Sequence, residues 1–238
     1  MPKNSQPKQA FNRQYLDERG LNIQAILNIN ELPANIQETI RQPGINYPSF
    51  TQLILIGHLG RDMWQHVNSN AMASDNPIDE YSVTAVQTYF KKFHSDKHYH
   101  ILYPANVAIG LQQLGTIAGW HNPSPFKVGI NTEWGSWFAY RAVVLADTNF
   151  VPTDKLDATS PCNACKTREC ISSCPAQALN SGELNFNACI EYRKQEQSVC
   201  RSSCLARISC PVGSVYKYTD EQVRYHYSIS MKMIEKYF

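Results

Sequence analysis

The sequence predicts a layered α/β domain followed by a small cysteine-rich module. Two observations carry this. Strand-like and helix-like patterns alternate through the first part of the chain. All eight cysteines then fall between Cys162 and Cys210, with none before. The expected organisation is an α/β domain over residues 1–150, a module over 151–215, and a tail over 216–238 that packs back on the first domain.

The elements are read in order. Gln9 to Arg19 has the apolar spacing of an amphipathic helix, stopped by Gly20, whose free φ suits a helix end. Leu21 to Ile29 reads as a strand and Pro33 to Arg41 as a short helix. The run Gln52 to Ile56 is apolar enough for a buried strand, and Arg61 to Val67 is helix-like. Ile78 to Phe93 is the clearest long helix, with Tyr81, Ala85, Thr88 and Tyr89 at helical spacing and Pro77 near its start. His98 to Tyr103 alternates like a strand, Asn106 to Ile117 reads as a helix, and Tyr140 to Leu145 as a strand. A loop over Asp147 to Ser160 leads into the cysteine region. That region is short of strand signal and rich in turns, so metal must stand in for a core of its own.

Composition narrows the partners. Apolar residues make up 43% and charged residues 18%, enough for a globular core. The 22 basic and 20 acidic residues leave a formal charge of +2 without a basic stripe, so nucleic acid is not an expected partner. Met1 to Ala10 lacks the apolar core of a signal peptide, and no apolar run reaches the roughly 20 residues that cross a bilayer. The expectation is a cytoplasmic protein with no membrane partner. In a reducing compartment, crowded cysteines point to metal ligation rather than disulfides.

The spacing names the metal. Cys162, Cys165, Cys170 and Cys174 form C-x2-C-x4-C-x3-C-P; Cys189, Cys200, Cys204 and Cys210 form a second set, again closed by proline. In two-cluster ferredoxins the fourth cysteine of such a run binds the other cluster. By that crossover, Cys162, Cys165, Cys170 and Cys210 bind one [4Fe–4S] cluster, and Cys174, Cys189, Cys200 and Cys204 bind a second. The module is thus expected to be ferredoxin-like and its function to be electron transfer. A pair of Zn(Cys)4 sites would also use all eight thiols, but neither the Cys-Pro steps nor the gap from Cys189 to Cys200 follows paired zinc knuckles. The longer Cys165–Cys170 loop departs from the ferredoxin spacing and bears on the cluster potential.

A further order of motifs carries a resemblance. Ile117-Ala-Gly119-Trp120 precedes Trp134-Gly135-Ser136-Trp137-Phe138, then the cysteine run, then Leu184-Asn-Phe-Asn-Ala-Cys189-Ile-Glu-Tyr192. This order resembles the epoxyqueuosine reductase family over roughly Ile101 to Pro211. The resemblance implies a cobalamin-binding α/β domain ahead of a two-cluster ferredoxin module. It implies cobalamin as a further cofactor, with Gly119, Trp120, Gly135, Ser136 and Trp137 lining it. Where the family has a proton-donor aspartate at a strand end, this chain has Tyr103, followed by Pro104. A phenol can donate a proton when a nearby cation steadies the phenolate, which makes Tyr103 the candidate catalytic residue.

His58, His98, His100 and His121 are candidates for cobalt ligation by residue type; the resemblance argues against ligation and leaves them as polar partners or surface residues. Gly57-His-Leu-Gly60 reads as a strand-to-helix turn or a close approach to a ligand. Trp120, Trp134 and Trp137 read as a wall against a corrin or as core. Three functions follow. The first is a redox protein passing electrons through two clusters to a cobalamin site for reductive chemistry. The second is a ferredoxin-like carrier that docks a partner enzyme without cobalamin. The third is a cobalamin reductase or trafficking protein. The expected partners are an electron donor of ferredoxin or flavodoxin type and a small-molecule or protein acceptor.

Overall fold

The computed structural model describes residues 7–41, 50–69, 74–105, 107–156, 159–180 and 182–238. The chain divides into two compact units: Met1–Ala118 with Phe138–Leu156, and Gly119–Trp137 with Asp157–Phe238.

The first unit is built on a four-stranded sheet in the order β1-β2-β4-β3, with β1 Ile23–Asn28, β2 Gln52–Leu59, β3 Tyr99–Tyr103 and β4 Phe138–Ala146. Every pairing is antiparallel. The class is therefore mixed α/β with an antiparallel sheet. The two central strands are near-continuous apolar runs: Leu53, Leu55 and Ala142 to Ala146 have no exposed surface, as strands covered on both faces require. Gln52, one of the polar side chains buried in this core, is satisfied on both ends. Its amide donates to the Phe150 carbonyl at 2.9 Å, and its oxygen accepts from Thr148 Oγ1 and Phe150 N. That clamp fixes the chain as it leaves β4.

Helices α1 Gln14–Asp17, α2 Ala34–Ile40, α3 Asp62–Ser69, α4 Pro77–Phe93 and α5 Leu111–Ala118 surround the sheet. α4 packs on β4, α1 and α3 and buries Ile78, Tyr81, Ser82, Ala85, Val86, Tyr89 and Phe90 at helical spacing. The helix expected over Gln9 to Arg19 keeps a single turn, Gln14–Asp17. Gln9 instead pairs with Phe150 in a parallel bridge, and Gly20 ends the segment at φ +71°. The helix expected from Asn106 begins at Leu111, and Asn106 lies outside the described residues. Gly57 and His58 belong to β2 rather than to a turn, at a register shift where a Cβ on Gly57 would meet the Ala139 carbonyl at 2.8 Å.

The second unit holds short helices: α6 Pro161–Ala164, α7 Glu169–Ser172, α8 Phe186–Lys194 and α9 Leu205–Ile208, with the longer α10 Asp220–Tyr237. Asn185 and Thr219 cap α8 and α10 by accepting from Ala188 N and Gln222 N. Its apolar clusters are small: Phe126, Leu179 and Ala206 form one, and Trp137, Tyr218 and Val223 the other. Two expected boundaries are corrected. Gly119–Trp137 clusters with the cysteine region, not the sheet. The tail helix α10 also belongs there: Ser230 Oγ and the Tyr227 carbonyl accept from Arg193, and Glu235 pairs with Arg201. Among the described residues no helix is long and apolar enough to cross a membrane.

Candidate functional site

The eight thiols of the second unit fall around two cavities. One, of about 20 Å³, is lined by Cys162, Cys165, Cys170 and Cys210 together with Phe126 and Glu169. The other, of about 330 Å³, is lined by Cys174, Cys189, Cys200 and Cys204. All eight are free. The helix pair α7 and α9 brings the ends of the two runs together, so Cys210 joins the first run and Cys174 the second.

The electrostatics divide the same way. Burial pushes the Cys162, Cys170 and Cys210 thiols up, and the cysteines that push them further all come from the first set. Burial likewise raises Cys189 and Cys200, with Cys174 and Cys204 adding to it. Among the described residues no three His, Cys, Asp or Glu side chains stand close enough to hold a single metal ion.

Two arginines that the sequence did not single out support this module. Arg193, on α8, is buried and donates from Nε to the Cys200 carbonyl at 2.9 Å, from Nη1 to Ser230 Oγ at 3.0 Å and from Nη2 to the Tyr227 carbonyl at 3.0 Å. Its charge favours the thiolates of Cys189 and Cys200. Arg207, on α9, reaches Ser136: Nε to Oγ at 3.2 Å and Nη2 to the carbonyl at 2.5 Å. Its guanidinium lies over the Trp137 and Tyr218 rings.

Of the residues expected to line a corrin, Ser136 and Trp137 are wholly buried in this unit. Gly135, at φ +60°, is pressed against the Val212 carbonyl. Trp120 is 2% exposed and meets Trp134 edge to face. Gly119 accepts from Asn131 Nδ2 through its carbonyl. Three buried polar atoms of the same Gly119–Trp137 segment have no partner among the described residues: His121 Nδ1, Asn122 Nδ2 and Trp137 Nε1. Burial holds His121 below the usual imidazole range, which favours its neutral form.

Tyr103 lies in the other unit, at the end of β3 on the sheet edge. Burial pushes its phenol up, Arg141 on β4 opposes this, and Asp79 on α4 adds to it. Arg141 is buried and donates from Nε to His58 Nδ1 at 2.8 Å. Arg141 is the cation whose charge acts on Tyr103. A charged residue inside a buried strand was its only sequence signal. His100 follows Tyr99 in β3, and the backbone amide of the neighbouring His98 donates to Asp147.

No protein-family model matches the sequence, and no curated protein does. Solved structures do. A crystal structure of an epoxyqueuosine reductase with an epoxyqueuosine-modified tRNA-Tyr stem loop aligns with a TM-score of 0.57 at 14% identity, over 89% of this chain and 66% of that one. The Bacillus subtilis epoxyqueuosine reductase, with its catalytic aspartate loop swung out of the active site, gives 0.56 at 14% identity over 87% and 65%. The Streptococcus thermophilus enzyme gives 0.52 at 15% identity over 85% and 65%. The chain spans just under two thirds of the length of these proteins. It shares the fold of these epoxyqueuosine reductase structures at low identity.

Proposed function

We propose that this chain is an iron–sulfur redox protein that delivers electrons to a corrin for reductive chemistry. One observation carries the proposal: the two cavities sort the eight thiols into the sets that ferredoxin-type crossover requires. Cys162, Cys165, Cys170 and Cys210 would hold one four-iron cluster, and Cys174, Cys189, Cys200 and Cys204 the other. The donor set, eight thiols in two sets of four with each run closed by a Cys-Pro step, fits two such groups. When bound, the clusters supply one-electron steps and the corrin supplies the reductive chemistry.

The chain's own residues have separate tasks in this reading. Arg193 places a buried cation beside the second thiol set, offsetting the negative charge of four thiolates. Arg207 and Gly135 hold the Ser136–Trp137 segment against the module. Toward a corrin, whose rim carries amides, the segment offers His121 Nδ1 and Asn122 Nδ2 as buried polar atoms in want of partners; left so, each costs about 1–3 kcal/mol. In the first unit, Tyr103 is the candidate proton donor, with the charge of Arg141 acting on it. The expected electron donor is a small protein of ferredoxin or flavodoxin type.

A second reading, an electron carrier that docks a partner enzyme without a corrin, is favoured by the complete burial of Ser136 and Trp137. Titration of the cluster-loaded protein with cob(II)alamin, followed by EPR, separates the two. A base-off cobalt spectrum at stoichiometric corrin supports the first reading. Unchanged free-corrin signals beside intact clusters support the second.

A further inference from the structure

Helix α10, in the second unit, has two different faces. Tyr227, Ser230 and Ile234, three and four residues apart, line the cavity of Cys174, Cys189, Cys200 and Cys204. The other face repeats Ile229, Met233 and Tyr237 at every fourth position, and these are 38%, 50% and 62% exposed. Lys232 and Lys236 run beside that row, both exposed, and the Lys236 ammonium lies 5.0 Å from the Tyr237 ring. Single exposed apolar side chains are ordinary, but an aligned row of them marks a surface that another molecule covers.

The charges around the row select the molecule. Over α8 and the second half of α10, the exposed cations Lys194, Lys232 and Lys236 stand against Glu191 and Glu235. Glu235 is already taken by Arg201 at 2.7 Å. Lys194 donates to the Phe238 carbonyl at 3.2 Å, which sets it at the same end of α10 as Lys236. The rim is therefore basic and fits an acidic partner. It also lies close to the thiols. A helix with its side chains is about 10–12 Å across, so a molecule resting on α10 stands one helix away from the second thiol set. Phe186, 59% exposed, lines the same cavity and brings its wall to the surface.

We propose that this face of α10 docks an acidic one-electron carrier protein, whose electron enters at the group held by Cys174, Cys189, Cys200 and Cys204. The proposal rests on the iron–sulfur reading above. Each encounter oxidises the carrier by one electron and reduces that group by one; no bond is made or broken. Encounters of this kind bury little surface. The lysines supply the steering, and the short row of Ile229, Met233 and Tyr237 supplies a centre that sheds its water.

In the full chain loaded with clusters, the probe is a reduced flavodoxin of net negative charge. Stopped-flow bleaching of the iron–sulfur absorbance should be about tenfold slower in Lys232→Glu/Lys236→Glu than in the parent at about 0.02 M salt, and the gap should close near about 0.5 M. Met233→Ser should weaken flavodoxin binding and leave the salt dependence in place. Methyl viologen radical, which needs no docking surface, should reduce parent and variants alike. A lysine variant as fast as the parent with flavodoxin, or slowed as much with methyl viologen, overturns the proposal. So does a parent that sediments as a dimer dissolved by Met233→Ser, or one that these lysines retain on an RNA stem loop or on vesicles of anionic lipid instead. If methyl viologen finds no reducible iron, the iron–sulfur reading fails. Flavodoxin binding to the parent against the lysine variant, read by fluorescence anisotropy, then decides the docking claim by itself.

Discussion

Gly135 and Gly213 cross at backbone contact. A Cβ on Gly213 would stand 2.4 Å from Gly135 N, and one on Gly135 would stand 2.0 Å from the Val212 carbonyl oxygen. Both glycines have positive φ, +60° and +68°. The crossing comes three residues after Cys210, so it pins the backbone that carries the last thiol of the first set. Gly135→Ala adds a left-handed penalty to a clash with main chain, and should cost about 2–5 kcal/mol. Gly182, at φ +82° with nothing within 4 Å of an added Cβ, isolates the first term, so Gly182→Ala should cost about 1–2 kcal/mol. Thermal melts of the two variants check the difference; equal losses would deny the crossing.

Arg193 should tune one cluster and leave the other alone. Its guanidinium binds the Cys200 carbonyl and favours the thiolates of the second set. Removing a buried cation makes the adjacent group harder to reduce. Arg193→Gln should therefore lower one midpoint potential in an EPR-monitored redox titration and leave the other in place. Movement of both, or of neither, would contradict this placement.

Stability should fall on mild acidification. Burial holds both His94 and His121 below the ordinary imidazole value. Folding thus favours their neutral forms, and this contribution is complete above the ordinary value near 6.5 and lost as pH drops through the depressed one. Asp79, raised by burial, acts with the opposite sign at lower pH. The melting temperature should decline between about pH 7 and pH 5, and less steeply in His121→Asn. A slope unchanged by the substitution would show that His121 is not held neutral.

The elements with strong local patterns were readable from sequence. β2 announces itself as QLILI, and α4 repeats its apolar face over four turns behind a proline. What sequence could not show depends on distant partners. Gln9 leaves its helical pattern because Asn149 and Phe150 offer it backbone pairing. Gly119–Trp137 follows the cysteine unit because Arg207 and Gly213 grip it from about seventy residues away in the chain. The thiol spacing groups the cysteines in the same two sets that line the two cavities. Asp79 and Arg141 gave little signal, because a carboxylate in a first helical turn is ordinary and one arginine in a strand shows no partner.

The crossed pairing of the thiols is the central claim, and the most direct measurement is Mössbauer spectroscopy with iron counting on anaerobically reconstituted protein and its Cys210→Ser variant. The account predicts about eight irons in two [4Fe–4S] clusters for the parent. In Cys210→Ser the cluster of Cys162, Cys165 and Cys170 should be lost or altered, and the one on Cys174, Cys189, Cys200 and Cys204 should remain. Zinc in place of iron, or a variant in which the Cys189–Cys204 cluster is the one lost, would contradict it.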